Sequence, residues 1–409
     1  MMCPSAMSPR RWLTCTPKRF IGTERFFARD SGLLCRGFQE IGVECQAVML
    51  GPRMDDDVDG DLIRADLVNL EDVDWWRLQG VEGVVFYGWG SGEYTRIARA
   101  IKEAGLLLIS HLDAGGVLSV LNGIPEYAGN AWRASNGSHG SRVARVLRVA
   151  ARVCLAGTWG LVRTDWGRAR HLRCADVIGA VSPIAKSRIQ RVCRFYGGRA
   201  LMDRVRLIPH PIAPYMGFDE AVTKERLVVA VGRWCDPPKG GPLLISSLGT
   251  LLGSDASVCA EIYGEVSPAM KSWHASLARD HRDRVLLKGV VANKDLPEVY
   301  SRASVSLCTS VSESFHIASA EALCCGCSVV GPDVPELPSM KWFTDGPFGA
   351  IGERSPEGLT RAVLSELEDW DAGRRDARRI SAHWRALLSA PRVAESILEL
   401  ADAEGMEGM

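Results

Sequence analysis

The feature that most constrains this chain is a repeated alternation of short apolar segments and longer helical segments. Helical segments over Phe26 to Ile41 and Tyr94 to Ala104 each stop at a glycine, which suits the left-handed end of a helix. Between and beyond them, compact apolar runs predict buried strands at Trp12 to Thr16, Val43 to Leu50, Val81 to Tyr87, Leu106 to Ser110, Val177 to Val181 and Val205 to Ile208. This order is typical of a parallel, doubly wound α/β sheet.

The same alternation restarts after PHPIAPYMGFDEAVTKE, a proline-rich polar stretch over 209–225. The second set of strands is predicted to begin at Leu227, Val258, Val285, Val305 and Ser328. A chain of 409 residues is too long for one ordinary core. We therefore expect an N-terminal Rossmann-like domain over 1–215, a linker over 216–225, and a C-terminal Rossmann-like domain over 226–385. A C-terminal helix is predicted over 386–409. Packing of this helix back on the N-terminal domain is one arrangement that the sequence allows.

Charge is balanced over the whole chain but not along it. The 49 basic and 49 acidic side chains cancel, so no net field draws the protein to nucleic acid. From Trp132 to His210, however, sixteen Lys or Arg stand against three acids. No apolar run approaches the roughly 20 residues of a membrane span, and we expect a soluble, cytoplasmic protein. Thirteen irregularly spaced cysteines predict free, mostly buried thiols.

Two loops that follow predicted strands carry the most informative side chains. In VSLCTSVSESF, Glu313 follows a strand, and Phe315, His316 and Ile317 enter a helix whose first N–H groups suit an anionic or hydroxyl-rich ligand. Glu321 lies about two turns further along that helix. Two solvated surface acids are the alternative.

The other loop is VVAVGRWCDPPKGG, in which Gly232 and Arg233 follow a strand and Lys239 comes six residues later. A forked guanidinium beside a compact ammonium is suited to a diphosphate. Unrelated loop cations are the alternative, because exposed Arg and Lys are common.

Taken together, VGRW, KGG, EIYGE, LKGVV and SESFHIASAEALCCGCSVVG resemble the C-terminal domain of retaining GT-B glycosyltransferases of family 4, also called glycosyl transferases group 1. ADVIGAVS and VRLIPHPI resemble the end of that family's N-terminal domain. The resemblance implies a GT-B fold, in which two Rossmann-like parallel-sheet domains face each other across a cleft. The N-terminal domain then binds the acceptor and the C-terminal domain binds a nucleotide sugar.

The resemblance also implies roles for individual residues. Arg233 and Lys239, next to Gly232, hold the donor diphosphate, and Glu321 bonds the ribose hydroxyls. Glu313 and the backbone after it face the donor sugar. The further implied contacts are Gly264 with the nucleotide, Val291 with the base, Ser314, Phe315, His316 and Ile317 with the donor, Gly22 with the donor phosphate, and His111 with the sugar. For His111, a hydrogen-bonded histidine in the core is the alternative. The chain departs from the family at His316, where a small residue is usual, and at IPHPI, where Pro-Asn-Gly is common.

The implied reaction transfers a sugar with retention from a nucleoside-diphosphate sugar to a hydroxyl acceptor. The diphosphate leaves through an oxocarbenium-like state, and Arg233 and Lys239 stabilise the negative charge that develops. The resemblance requires no protein nucleophile, no metal and no cofactor besides the co-substrate. The basic block suggests a polysaccharide, lipopolysaccharide or lipid-linked acceptor. The alternatives are a non-catalytic GT-B protein that binds nucleotide or glycan, and a hydrolase with two carboxyl groups flanking the scissile bond.

Three further segments have two interpretations each. SRVARVLRVAARVCLAG predicts a basic amphipathic helix in which Arg142, Arg145 and Arg152 contact an anionic membrane or a phosphorylated acceptor; the alternative is a solvated face on a helix packed against the sheet. Membrane contact would place the protein at the inner face of the membrane. DDDVDGDLIRAD nearly fits a calcium loop but favours a solvated acidic loop, and CCGC favours small packed side chains over zinc.

Overall fold

The structure is a computed structural model, and it describes residues 10–19, 26–54, 57, 60–113, 119–134 and 141–407. The chain divides into two compact units. The first unit comprises Met1–Pro211 and Ala390–Met409, and the second unit comprises Ile212–Ser389.

The first unit is built on a seven-stranded parallel sheet in the order β3-β2-β1-β4-β5-β6-β7. The strands are β1 Arg11–Thr16, β2 Glu44–Leu50, β3 Leu62–Ala65, β4 Gly83–Phe86, β5 Leu107–Leu112, β6 Val177–Ala180 and β7 Val205–Leu207. The helices are α1 Asp30–Glu40, α2 Leu67–Glu71, α3 Val73–Leu78, α4 Thr95–Glu103, α5 Ile124–Ala134, α6 Arg142–Leu155, α7 Trp166–Leu172 and α8 Pro183–Met202, with a π-helix over Ala156–Asp165 between α6 and α7.

The second unit has a six-stranded parallel sheet in the order β10-β9-β8-β11-β12-β13. The strands are β8 Glu225–Val231, β9 Cys259–Tyr263, β10 Val285–Gly289, β11 Ala303–Leu307, β12 Ser328–Pro332 and β13 Gly349–Gly352. The helices are α9 Gly241–Ser254, α10 Pro268–Ser276, α11 Arg279–Asp283, α12 Leu296–Arg302, α13 Ile317–Cys324, α14 Met340–Phe343, α15 Pro356–Asp371 and α16 Ala377–Leu388.

The central strands are covered on both faces, which explains why small and apolar residues predominate in them and charged residues are absent from β4, β6, β11 and β12. Every residue of β4, β6, β11 and β12 is buried. In the first unit the core surrounds Trp12 and Phe38, whose rings stack with centroids 5.6 Å apart. In the second unit a separate core joins the strands to α9 and α15. The sequence prediction of two doubly wound parallel sheets is therefore confirmed.

The last helix, α17 Ala390–Glu407, belongs to the first unit and packs on α1. Its Val393, Ala394, Ile397 and Ala401 lie in the core around Trp12. Residues 212–225, which include the predicted linker, contribute to the second unit. Ile212 pairs with Ser389, and the half-buried Lys224 donates from Nζ to the carbonyls of Tyr300 and Ala303 at 3.0 and 2.6 Å.

The acidic segment before Asp66 contains a strand, so its prediction as a loop is wrong over Leu62–Ala65. Asp57 pairs with Arg64 at 2.5 Å, Asp61 accepts from Arg36 at 2.7 Å, and Asp66 caps α2 by accepting from the Asn69 amide. These carboxylates therefore have structural partners. Asp55, Asp56 and Asp59 lie outside the described residues.

Among the helices described, none combines the length and apolarity that crossing a bilayer requires.

Candidate active site

Two predicted glycines meet where β8 and β9 end. The Gly232 amide donates to the Tyr263 carbonyl at 3.1 Å, and Gly264 follows directly with a φ of +102°. A Cβ on Gly264 would lie 2.0 Å from the Gly232 carbonyl oxygen, so only glycine fits at this approach. The close contact leaves backbone, rather than side chain, at this part of the carboxyl edge of the sheet.

A second close approach brings Lys239 to Glu313. Gly240 has a φ of +70°, and a Cβ there would lie 2.0 Å from the Thr309 carbonyl oxygen. The loop that contains Lys239 is thereby held against the loop after β11, where the Val311 amide also donates to the Pro238 carbonyl at 2.6 Å. Lys239 Nζ lies 2.6 Å from Glu313 Oε1. An ammonium group has three N–H donors, so Lys239 can hold Glu313 and still donate to an anionic ligand.

Glu313 is fixed by two further hydrogen bonds. Ser310 Oγ donates to Glu313 Oε1 at 3.2 Å, and the Glu313 amide donates to the Glu336 carbonyl at 3.0 Å. The carboxylate of Glu313 and the ammonium of Lys239 are each about three-quarters buried. The pair is therefore an ordered element of the site and not two solvated surface groups.

Arg233, the other predicted cation, has a different partner. Its guanidinium pairs with Asp236 at 3.0 Å, and 61% of the side chain is exposed. An exposed ion pair between residues three positions apart in a loop is worth little, so the guanidinium is available to turn toward an anion at small cost. The structure therefore brings Lys239 and Glu313 into contact, whereas Arg233 contacts a carboxylate of its own loop.

The segment after Glu313 presents backbone more than side chains. Ser314 is half-buried and its carbonyl accepts from Ser339 Oγ at 3.0 Å, while the Phe315 ring packs on Phe343 with centroids 5.2 Å apart. His316 is the left-handed N-cap of α13, and Ile317 is half-buried in its first turn. The side chain of Phe315 therefore packs in the core.

Glu321 is half-buried on α13, near two tyrosines that the sequence did not single out. Burial, and next the Glu321 carboxylate, raise the pKa values of Tyr215 and Tyr300. The hydroxyl of Tyr300 is buried and has no hydrogen-bond partner among the described residues.

Val291 is half-buried just beyond the end of β10. Gly22 lies outside the described residues.

His111 is buried at the end of β5 in the first unit. Its Nε2 lies 3.1 Å from the Ile208 carbonyl oxygen, and its ring stacks on Tyr87 with centroids 4.3 Å apart. Burial, together with His210, lowers the pKa of His111 to about 3, so the ring is neutral near pH 7. The side chain has no exposed surface in this structure, and its predicted sugar contact stays a prediction.

His210 is a titratable residue next to His111, and the sequence alone did not identify it. Its Nε2 lies 2.9 Å from Asp113 and its Nδ1 lies 3.9 Å from Asp30. Burial opposes protonation, but Asp113 and Asp30 raise the pKa of His210 above its ordinary value. The only hint in the sequence was IPHPI, the departure from the family turn. A histidine whose pKa is raised therefore lies beside one whose pKa is lowered.

The neutral buried histidines predict a loss of stability in acid. Burial lowers the pKa of His171 to about 4 and that of His111 to about 3, so the unfolded chain binds protons that the folded chain does not. As the pH falls from 6.5 toward 4, each should remove stability by up to roughly 1.4 kcal/mol per pH unit. We expect His111→Gln to flatten this slope in urea unfolding followed from pH 7.5 to 4. An identical slope in the variant would contradict the assignment.

The basic amphipathic helix is α6, and none of its residues is buried. Val143, Val146 and Leu147 are 68, 51 and 64% exposed, so the interpretation in which the apolar side packs on the sheet is wrong. Arg145 is held inside the unit: its guanidinium stacks on Trp132, 3.8 Å from the ring centroid, and donates to the Trp132 carbonyl at 2.9 Å. The predicted contact of Arg142, Arg145 and Arg152 with a membrane or acceptor is therefore corrected at Arg145, which links α6 to α5. Arg142 and Arg152 are exposed.

The cysteines of the CCGC segment are buried between α13 and β12. Burial raises the pKa values of Cys324, Cys325 and Cys327, the last to about 12, so the thiols are protonated near pH 7. Thiols in this state pack as small apolar side chains.

A comparison with protein families matches residues 225–369 to the model described as Glycosyl transferases group 1. These residues span most of the second unit and contain Gly232, Arg233, Lys239, Glu313 and Glu321. In sequence, the chain matches no curated protein.

Solved structures match nearly the whole chain. Alr3699/HepE from Anabaena, in complex with UDP, is 16% identical with a TM-score of 0.62, covering 96% of this chain and 100% of that one. Sucrose-phosphate synthase from Thermosynechococcus elongatus is 16% identical with a TM-score of 0.59, covering 96% and 99%. A glycosyltransferase from Rickettsia africae is 11% identical with a TM-score of 0.64, covering 97% and 98%. The chain has the GT-B fold, and residues 225–369 in its second unit match the Glycosyl transferases group 1 model.

Proposed function

We propose that this protein is a retaining glycosyltransferase that moves a sugar from a nucleoside-diphosphate sugar to a hydroxyl acceptor. The observation that carries the proposal is the ordered Lys239–Glu313 pair, held by Gly240 at the carboxyl edge of the second sheet. Ligands of open parallel sheets bind at this edge. The HepE structures in complex with UDP and with UDP-glucose lend support, because they share the fold.

In the proposed reaction, each side chain has a distinct part. Lys239 and Arg233 bind the diphosphate and stabilise its charge as the bond from the sugar C1 to the phosphate oxygen breaks. Glu313 and the backbone from Ser314 to Ile317 contact the sugar, and Glu321 accepts hydrogen bonds from the ribose hydroxyls. Gly264 and Val291 lie beside the nucleoside. No protein nucleophile, metal or cofactor is part of the proposal.

The paired glutamates do not favour hydrolysis over transfer. A hydrolase uses one carboxylic acid and one carboxylate, whose charges are set for acid and nucleophile or base. Here Glu313 is bonded to an ammonium group, and its acceptor capacity is already partly used by Ser310. A leaving diphosphate explains the neighbouring cation better.

The test is a panel of nucleotide sugars given to the purified full chain with and without glycan and lipid-linked acceptors. We expect release of one nucleoside diphosphate, faster when an acceptor is present, and a product with the anomeric configuration of the donor in NMR spectra. Binding without release from any donor would favour the non-catalytic alternative. An inverted product would overturn the retaining mechanism alone.

For the first unit we propose contact with an anionic membrane through α6, which would bring a lipid-linked acceptor to the enzyme. Val143, Val146 and Leu147 form an exposed apolar strip, and Arg142 and Arg152 are exposed on the same helix. This combination suits insertion of apolar side chains between headgroups while guanidinium groups bind phosphate. The protein would then be cytoplasmic and peripheral at the inner face of the membrane.

Flotation with vesicles tests the membrane proposal. We expect the chain to float with vesicles that contain phosphatidylglycerol and not with phosphatidylcholine alone, and we expect Leu147→Asp to abolish flotation. Leu78→Asp is the matched control, because Leu78 is 83% exposed elsewhere in the same unit. No flotation of the wild-type chain at low salt, or equal loss in both variants, would contradict the proposal.

A further inference from the structure

His316 has a backbone conformation that a residue with a side chain rarely adopts. Its φ and ψ are 58° and 74°, in the left-handed region where glycine is favoured. The residue is nevertheless only 8% exposed. A strained backbone of this kind persists where surrounding contacts hold it, and such residues are frequent at ligand sites. The imidazole must therefore be secured by its contacts.

Those contacts identify which ring nitrogen carries the proton. His316 Nδ1 lies 3.2 Å from the Ser319 amide nitrogen and 2.7 Å from Ser319 Oγ. A backbone amide can only donate, so Nδ1 is the acceptor and caps α13. Burial lowers the pKa of His316 to about 4, and the ring is neutral near pH 7. A neutral ring with an unprotonated Nδ1 carries its proton on Nε2.

The Nε2–H group remains available to a ligand. Both side-chain hydrogen bonds of His316 within the described residues use Nδ1. Within the described residues Nε2 has no hydrogen-bond partner, and this atom keeps solvent-accessible surface. It belongs to the N-cap of an eight-residue helix, whose first N–H groups have no intrahelical acceptor and favour an anion.

We propose that His316 Nε2–H donates a hydrogen bond to a phosphate oxygen of the bound nucleoside diphosphate. This inference rests on the proposed function, and it adds a donor where relatives of the family have a small residue. Lys239 brings charge to the diphosphate, whereas the neutral imidazole adds direction without charge. The capping bond to Ser319 fixes the ring, so the donor is oriented before the ligand arrives.

Two substitutions separate this donor from the capping role. His316→Gly suits the left-handed backbone but removes the ring. His316→Asn also tolerates that backbone and keeps an oxygen that can accept from the Ser319 amide. Neither variant places an N–H group at the position of Nε2. We expect both to unfold thermally near the wild-type temperature and to bind about fivefold to tenfold more weakly, as the loss of one hydrogen bond predicts.

The experiment is calorimetric titration of the full chain and both variants with UDP, GDP and ADP, followed by proton–nitrogen NMR of the histidine rings with the tightest of the three. The free chain should show the Nε2–H form of His316, and the ligand should shift that resonance. Unchanged affinity in both variants, or an Nδ1–H form, would overturn this inference alone. No binding of any diphosphate by the wild-type chain would overturn it together with the proposed function.

Discussion

Replacing Lys239 or Arg233 with alanine should reduce turnover of the nucleotide sugar by about 100- to 1000-fold, because each cation stabilises charge that develops on the leaving diphosphate. The fold should be retained. Arg233 is largely exposed and pairs with a carboxylate of its own loop, and the loop of Lys239 is held by Gly240 independently of the side chain. The measurement is the initial rate of nucleoside diphosphate release, with thermal unfolding recorded for each variant.

Arg361→Ala is the matched control for Arg233→Ala. Arg361 lies in the same unit, is 70% exposed and also forms an ion pair, with Glu353 at 3.8 Å. We expect wild-type rates from this variant. Full activity in both Arg233→Ala and Lys239→Ala would mean that neither cation stabilises the leaving diphosphate. A loss of rate in Arg361→Ala would mean that surface charge in general is responsible.

Replacing Glu321 should weaken recognition of the ribose. We expect Glu321→Ala to abolish measurable turnover and the closer replacement Glu321→Gln to bind nucleoside diphosphate roughly 10- to 100-fold more weakly, since hydrogen bonds to a charged carboxylate are among the stronger ones. The measurement is calorimetric titration with the diphosphate of the active donor.

A ligand without ribose hydroxyls provides the control for Glu321. The wild-type chain should bind the 2′,3′-dideoxy diphosphate as weakly as Glu321→Gln binds the normal one, and the variant should no longer distinguish the two ligands. If Glu321→Gln discriminates between them as strongly as the wild-type chain, the carboxylate does not contact the ribose. Glu321 would then act through its electrostatic interaction with Tyr215 and Tyr300.

The sequence predicts the sheets well where strands are covered on both faces. Continuous apolar runs such as those of β4 and of LVVAV in β8 have no other plausible place than the centre of a parallel sheet. The strands β3 and β13 were missed for a physical reason. Leu62–Ala65 contains an arginine between acidic neighbours, and Gly349–Gly352 has two glycines in four residues, so neither has the pattern of a buried strand.

The partners in the site could be predicted only in part. The glutamates and cations are visible as residues after strands, but the contact between Lys239 and Glu313 joins positions 74 apart and depends on the backbone approach at Gly240. The same holds for His111 and the carbonyl of Ile208, which are 97 positions apart. The tautomer of His316 depends on the capping geometry of Ser319, which residue types alone do not reveal.

The most direct test of the central claim is hydrogen–deuterium exchange of the full chain with and without the nucleoside diphosphate of its active donor. Binding at the carboxyl edge of the second sheet predicts slower exchange in two segments, 238–241 and 313–319, where Lys239, Glu313 and the start of α13 lie. Protection confined to other parts of the chain, with these two segments unchanged under saturating ligand, would contradict the account.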